Sequence, residues 1–261
     1  MMLHSLPAVL MHRNSLLIKK MACVTMLATA FVVISLVPVS WASTCPLVLK
    51  TNAQVERRLL NEGFHRDLET TVFLSSPEDL QSCLVLIKEV LPPGSYVDPN
   101  QLRFLRAFGG PDFHVPQIIN VETPEHLSPR VLAYFYILPQ PMSDGRWLVN
   151  ITVPIHLRYH RARSGESYSL EVPVRLQHPA VLVQCEDVGG DACRPLVQLE
   201  PCPPSGVQLC EWLPVNTFST SEAVMGIVPV GNTDLLDTVL LTTTCITAGA
   251  TLLILATLRK K

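Results

Sequence analysis

Two long apolar segments, each flanked by basic residues, bracket the chain and set the compartment of everything between them. The first runs from Met21 to about Val39, behind His12-Arg13 and Lys19-Lys20. The second runs from Thr238 to Leu258 and is followed by Arg259-Lys260-Lys261. A basic n-region, the apolar run CVTMLATAFVVISLV and small residues at Ser40 and Ala42 read as a secretory signal peptide over 1–42, cleaved after Ala42. An uncleaved anchor helix is the alternative, and Met1, Met11 and Met21 are all possible initiators. The second segment has 21 residues without a formal charge. At 1.5 Å per residue it spans about 30 Å, the hydrocarbon thickness of a bilayer. The basic residues after it satisfy the positive-inside rule. The expected organisation is a single-pass type I protein: a lumenal domain over 43–234, a transmembrane helix over 235–258 and a cytosolic tail over 259–261. The rival is a glycolipid-anchor signal with Gly231-Asn232-Thr233 as its site. The terminal cations argue against it, because such signals end apolar.

The stretch from Ser43 to Asp237 has 195 residues, enough to bury a core. After the cations of the two flanks are set aside it keeps 14 Lys and Arg against 22 Asp and Glu, a formal charge of −8. It carries no basic patch, which excludes nucleic acid as the expected partner. Cys45, Cys83, Cys185, Cys193, Cys202 and Cys210 lie in this exported stretch. An even number of cysteines in an oxidising compartment reads as disulfides, with the pairing left open among 15 connectivities. The close C-x₂₋₄-C pairs of a zinc site are missing from the cluster Cys185 to Cys210. Asn150-Ile151-Thr152 is a glycosylation sequon, so Asn150 is an expected glycan site if its face is exposed.

Period two is clearest from Arg146 to His160, where Trp147, Val149, Ile151, Val153, Ile155, Leu157 and Tyr159 alternate with polar residues. This reads as a half-buried strand, with Pro154 marking an edge or a bulge. SLEVPVRL repeats the pattern, and Ser164-Gly165 between the two is a turn signal, so the pair reads as a β-hairpin. Further strands are expected at Leu68–Leu74, Leu84–Val90, Val131–Leu138, Ala180–Gln184 and Ala223–Val230. Ser76-Pro77-Glu78-Asp79 is also compatible with the cap of a short helix. With 22 prolines and few helical patterns, the expected fold is mainly β: a sandwich-like lumenal domain plus the terminal helix.

Little in this pattern reads as catalysis. His156 and His160 share a strand face about 13 Å apart, too far for one ion. His65 and Asp67 are a candidate acid–base pair only if their side chains meet, and no G-x-S-x-G nucleophile accompanies them. The chain has no Asp-x-Asp, P-loop, G-x-G-x-x-G or H-E-x-x-H motif. No cofactor and no metal is expected. The weight falls on binding or assembly, with a cell-surface adhesion or receptor ectodomain as one class and a lumenal hydrolase using His65 and Asp67 as another.

An ordered set of motifs narrows this. It comprises Gly63-Phe64-His65-Arg66-Asp67-Leu68, Ser76-Pro77-Glu78-Asp79-Leu80 leading to Cys83 and Leu86-Ile87-Lys88, and Tyr96-Val97-Asp98-Pro99 with Leu102. Pro154 to Arg161 follows, then Cys185 through Cys210-Glu211-Trp212, and Val228-Pro229-Val230-Gly231. In order and spacing the chain resembles the phosphatidylinositol-glycan biosynthesis class X (PIG-X) family, least so in the signal region and from Phe104 to Pro129. The resemblance implies a single-pass endoplasmic reticulum protein with no catalytic activity of its own. It implies a partner, the multi-spanning catalytic subunit PIG-M, which adds the first mannose of the glycosylphosphatidylinositol precursor. Candidate contacts are Phe64, His65, Arg66 and Asp67, then His156, Arg158, Tyr159 and His160. The small and polar residues from Thr242 to Ala250 would let a partner helix approach in the membrane.

Overall fold

The computed structural model describes residues 50–186, 193, 196–204, 206–219 and 222–259, all within one unit, Thr44–Lys261. The expected signal peptide over 1–42 and the expected disulfide at Cys45 lie outside the described residues.

Strands β1 (Asn52–Leu60), β2 (His65–Ser75), β3 (Cys83–Leu91) and β4 (Ser95–Tyr96) are followed by helix α1 (Pro99–Ala107). Then come β5 (Asp112–His114), β6 (Val131–Ile137), β7 (Gln140–Pro141), β8 (Trp147–Leu157), β9 (Glu171–Arg175) and β10 (Ala180–Cys185). The chain continues through β11 (Gln198–Pro201), β12 (Leu209–Pro214), β13 (Asn216–Ser219), β14 (Met225–Pro229) and the long helix α2 (Leu236–Arg259). One sheet has the order β13-β1-β2-β8-β4, with β7 also on β8. The second runs β11-β12-β10-β3-β6-β5, and β14 with β9 makes a two-stranded ribbon.

Alternation along the strands builds the core. β1 and β2 supply Ala53, Val55, Leu68, Val72 and Leu74 from one sheet, and β8 adds Val149, Ile151, Val153 and Ile155. Val85, Ile87, Val131, Phe135, Val181 and Val183 meet them from the other. The fold is thus mainly β, two sheets packed face to face. The outer face of the second sheet is covered as well. Leu86, Tyr134, Tyr136, Leu182 and Trp212 form a smaller cluster there. The β11–β12 hairpin folds over it, bringing Glu200 to Lys88 and the Pro201 carbonyl to the Tyr136 hydroxyl at 2.8 Å. Burial, then the Glu200 carboxylate, push the Tyr134 hydroxyl up to about 12.

One polar pair crosses the main core. Arg57 on β1 points inward where alternation calls for an apolar residue, and its guanidinium sits 2.8 Å from the Glu89 carboxylate on β3. It also donates to the Gln177 carbonyl. Burial pushes the Glu89 carboxyl up, and Arg57 pulls it back down. Removing one partner would leave a buried group without its complement.

Cys83 and Cys185 sit opposite each other in the β3–β10 register and are bonded, and Cys202–Cys210 closes the β11–β12 hairpin. Cys193 is also disulfide-bonded. The cluster from Cys185 to Cys210 is therefore not sealed within itself, because Cys185 ties it to the second sheet.

The expected strands at 68–74, 84–90, 131–138, 146–160, 180–184 and 223–230 are all present, with shifted ends. The expected hairpin of 146–160 with 169–176 is not formed. β8 pairs with β2 over ten residues, and β9 pairs instead with β14. Ser76 and Asp79 cap turns, at Glu78 and Gln81, and not a helix. Pro154 falls in the part of β8 that has no strand on its outer side among the described residues, where a missing donor matters least.

α2 with the turn before it covers Thr233–Arg259, a 27-residue span of mean hydropathy 2.0, long and apolar enough to cross a bilayer. Its start is pinned to the sandwich. Arg163 bridges Asn232, and its backbone bonds Gly231 and Thr233 at 2.8 Å each. The Asp234 carboxylate accepts from the Gly165 N–H at 2.8 Å.

Replacing Arg57 by Met or Glu89 by Leu alone is expected to destabilise the sandwich by about 3–5 kcal/mol. The two replacements together should cost clearly less than their sum. Denaturant melting of the four proteins checks this, and strict additivity would rule out a coupled buried pair.

Candidate functional site

The pairing of β2 with β8 places two separate sequence motifs side by side. His65 lies opposite His156 in the register, and the Leu157 N–H donates to the Phe64 carbonyl at 2.8 Å. Gly63, at φ +79°, and Asn61, at φ 64°, turn the chain from β1 into β2 just before this point. A left-handed conformation favours glycine, and asparagine tolerates it. The turn is held from within, since Arg66 donates to the Gly63 and Asn61 carbonyls and Asp67 accepts from Asn61 at 2.7 Å.

A cleft of about 410 Å³ opens at this end of the sandwich, lined by Phe64, His65, Tyr96, the segment from Val121 to Pro124, and the run His156 to Tyr159. The Phe64 and Tyr159 rings meet at 4.6 Å on its rim, with Tyr159 largely exposed. His65 packs edge-on against His156 at 4.7 Å, and Tyr96 stacks on the other side of His156 at 5.0 Å. His156 Nε2 is 2.8 Å from Gln101 Oε1, which ties the cleft to the first turns of α1. That helix begins where the Asp98 carboxylate accepts from the Asn100 N–H, with Pro99 behind it.

Arg158 organises the floor. Its Nη1 donates to the Asn120 carbonyl at 2.8 Å and to the Thr123 carbonyl at 2.5 Å, holding an otherwise irregular segment against β8. Its guanidinium lies 4.3 Å from the Tyr96 ring centre, a cation–π contact. The Arg158 N–H donates to the Gly94 carbonyl, and a Cβ on Gly94 would crowd Val174 at 3.0 Å and the His160 ring at 3.2 Å. Arg158 is only 4% exposed, and its Nε finds no hydrogen-bond partner among the described residues.

The electrostatics follow from burial. Burial, then the neighbouring His65, lower the His156 imidazole from its ordinary 6.5, against an upward pull from Asp98. Burial raises the Tyr96 hydroxyl, Arg158 pulls it down, and Asp98 and Glu122 push it up. Burial also lowers Arg158, with Tyr96 acting in the opposite direction.

Of the expected contact residues, the cleft gathers Phe64, His65, His156, Arg158 and Tyr159. Arg66, Asp67 and His160 fall beside it. The candidate His65–Asp67 acid–base pair is not assembled: Asp67 engages Asn61, while His65 engages His156. Tyr96 and the segment from Asn120 to Pro124 were not among the expected site residues. Tyr96 sits in a recognisable motif. The segment is held through backbone carbonyls, which leave no residue signature. In α2, the hydroxyls of Thr242, Thr244, Thr247 and Thr251 donate to their own helix four residues back. What α2 offers a neighbour is therefore mainly small size and shape.

The model of the PIG-X / PBN1 family matches residues 61–259. A mouse protein named "GPI alpha-1,4-mannosyltransferase I, stabilizing subunit" is 31% identical over 186 residues, covering 69% of this chain and 70% of its own. A human protein of the same name is 30% identical over 190 residues, covering 69% of each chain. No solved structure matches the chain.

A lowered histidine sets the sign of a pH effect. Below about 6.5 the unfolded chain takes up a proton that folded His156 resists, so stability falls as pH drops through 6.5. Thermal melts between pH 7.5 and 5 should show this loss, and His156→Gln should flatten it. An unchanged profile in the variant would contradict the assignment.

Proposed function

The chain belongs to the PIG-X / PBN1 family, and on that premise we propose that it is the non-catalytic stabilising subunit of a glycosylphosphatidylinositol mannosyltransferase. The observation that carries this is the extent of the family match. It runs from the β1–β2 turn through α2, so every strand after β1, the cleft and the apolar helix fall within it. Mouse and human relatives bear the name of a stabilising subunit of that enzyme.

The finer reading has three parts. The catalytic partner is the multi-spanning subunit PIG-M, which adds the first mannose to the glycolipid precursor. The complex lies in the endoplasmic reticulum membrane, with the sandwich in the lumen, α2 crossing once and the basic residues after it on the cytosolic side. Three disulfide-bonded regions and the exposure of Asn150 on β8 support the lumenal placement. The partner contact is the end of the sandwich that carries Phe64, His65, Arg66 and Asp67 beside His156, Arg158, Tyr159 and His160, together with α2.

Physical sense supports that surface. The Phe64–Tyr159 pair is an amphipathic aromatic anchor on a rigid strand end, the type of group that dominates interface energetics. The clamp between Arg163, Gly165 and Asn232–Asp234 holds this end close to the start of α2. A membrane-embedded partner can then engage the helix and the sandwich together, and the second contact benefits from the high effective concentration set by the first.

Tyr159→Glu is expected to weaken detergent co-purification with the catalytic subunit by about thirtyfold, roughly 2 kcal/mol for an aromatic anchor. The sandwich itself should melt as before. Full recovery of the partner would move the contact elsewhere. Asn150→Gln should remove one glycan, read as loss of a single glycosidase-sensitive mobility shift. The absence of any such shift in the parent chain would place Asn150 out of reach of glycosylation.

A further inference from the structure

The loop between β8 and β9 is tied at both ends and in the middle to the turn that opens α2. The Arg163 N–H donates to the Gly231 carbonyl, and the Thr233 N–H to the Arg163 carbonyl, at 2.8 Å each. The Asp234 carboxylate accepts from the Gly165 and Glu166 N–H groups at 2.8 and 3.3 Å. Farther along, the Val230 N–H donates to the Leu170 carbonyl at 2.8 Å. Tyr168 lies between these ties, and its N–H donates to the Ser164 carbonyl at 3.1 Å, which folds the loop back on itself. The Tyr168 side chain is nonetheless held out in the open, 64% exposed.

The height of this loop over a bilayer follows from α2. Asp237 is the last charge before the uncharged stretch from Thr238 to Leu258, so the hydrocarbon begins at about Thr238. Asp234 stands four residues earlier, about 6 Å outside that edge at 1.5 Å per residue. The headgroup layer is about 5–8 Å thick on each side of the hydrocarbon. The Asp234 carboxylate therefore lies at headgroup depth, and its two hydrogen bonds hold Gly165 and Glu166 there with it. Tyr168 is three residues beyond Gly165, a reach of at most about 10 Å, and the bond to Ser164 keeps it nearer than that.

An apolar ring with a polar hydroxyl at this depth is the type of group that anchors proteins at a membrane–water interface. Charge supplies no rival attraction. Arg161 and Arg163 are offset by Glu166 and Asp234, so the loop and its clamp have no net pull toward an anionic surface.

We propose that the loop over 164–169 lies in the lipid headgroup layer, with the Tyr168 ring as an interfacial anchor. It gives the sandwich a second point of contact with the bilayer beside α2, and so fixes its height and tilt. This rests on α2 as a membrane span and not on the identity of the protein partner.

The test uses the full chain in nanodiscs of phosphatidylcholine brominated either high on the acyl chain, beside the headgroup, or near the chain end. Tyr168→Trp adds one indole at the loop, Ile246→Trp adds one near the middle of α2, and the parent chain supplies the baseline from its own tryptophans. The emission added by Tyr168→Trp should be lost with the shallow bromines and retained with the deep ones. The emission added by Ile246→Trp should show the reverse. Loss of the Ile246→Trp signal alone would overturn the anchor while leaving the span intact. No quenching of either would remove the span and the proposal with it. Quenching of Tyr168→Trp that needs added phosphatidylserine would assign the contact to the arginines and overturn an aromatic anchor. Quenching that disappears once the catalytic subunit is bound would give the loop to the protein partner. Co-purification of that subunit with Tyr168→Trp reports separately on the accessory role.

Discussion

The antiparallel register between β2 and β8 is the constraint on which the rest of the molecule depends. Ten residues from His65 to Leu74 pair with His156 back to Trp147. That register turns Leu68, Val72, Val149, Ile151, Val153 and Ile155 toward the second sheet and leaves Thr71, Asn150 and Thr152 on the outside. A slip of one residue would exchange the two faces and empty the core. The same register sets His65 against His156 and Phe64 beside Tyr159, so core formation and cleft formation are a single event. The disulfide between Cys83 and Cys185 does for the second sheet what this register does for the first: it locks β3 to β10 at one end.

From that strand end, a short loop reaches the start of α2 and is hydrogen-bonded to it. β8 closes on Leu157, Arg158 gathers the irregular segment between α1 and β6, and Arg163 and Gly165 clamp the turn that opens α2. Sandwich, cleft and helix start are coupled through backbone and side-chain hydrogen bonds. A subunit whose task is to steady a larger membrane protein gains from that stiffness, because an ordered contact surface loses less entropy on binding.

Much of this was legible in the sequence, and the failures have physical causes. The period-two pattern of Trp147 to Leu157 gave the strand that carries the core, and β3, β6 and β10 read clearly as apolar runs. β1 did not, because Glu56, Arg57 and Arg58 look like a solvated stretch, yet Arg57 turns inward and is neutralised by a glutamate 32 residues away. α1 was missed although Leu102, Leu105 and Phe108 recur at helical spacing, because a nine-residue helix with one buried side chain is a short signal. The hairpin of β8 with β9 failed because neighbouring strands with a turn between them usually pair, whereas here the intervening loop is drawn to Asn232 and Asp234 and β9 is delivered to β14. Both walls of the cleft were visible as motifs. Its floor was not, since Arg158 recruits the 120–123 segment through main-chain carbonyls that any residues could supply.

On the proposed reading, this membrane-tied sandwich keeps a catalytic mannosyltransferase subunit intact. The most direct measurement is the half-life of that subunit in cells depleted of this chain, then resupplied with it. Depletion should bring rapid loss of the catalytic subunit, restored by the intact chain but not by a chain whose α2 is exchanged for an unrelated apolar helix. A half-life unchanged by depletion would contradict it.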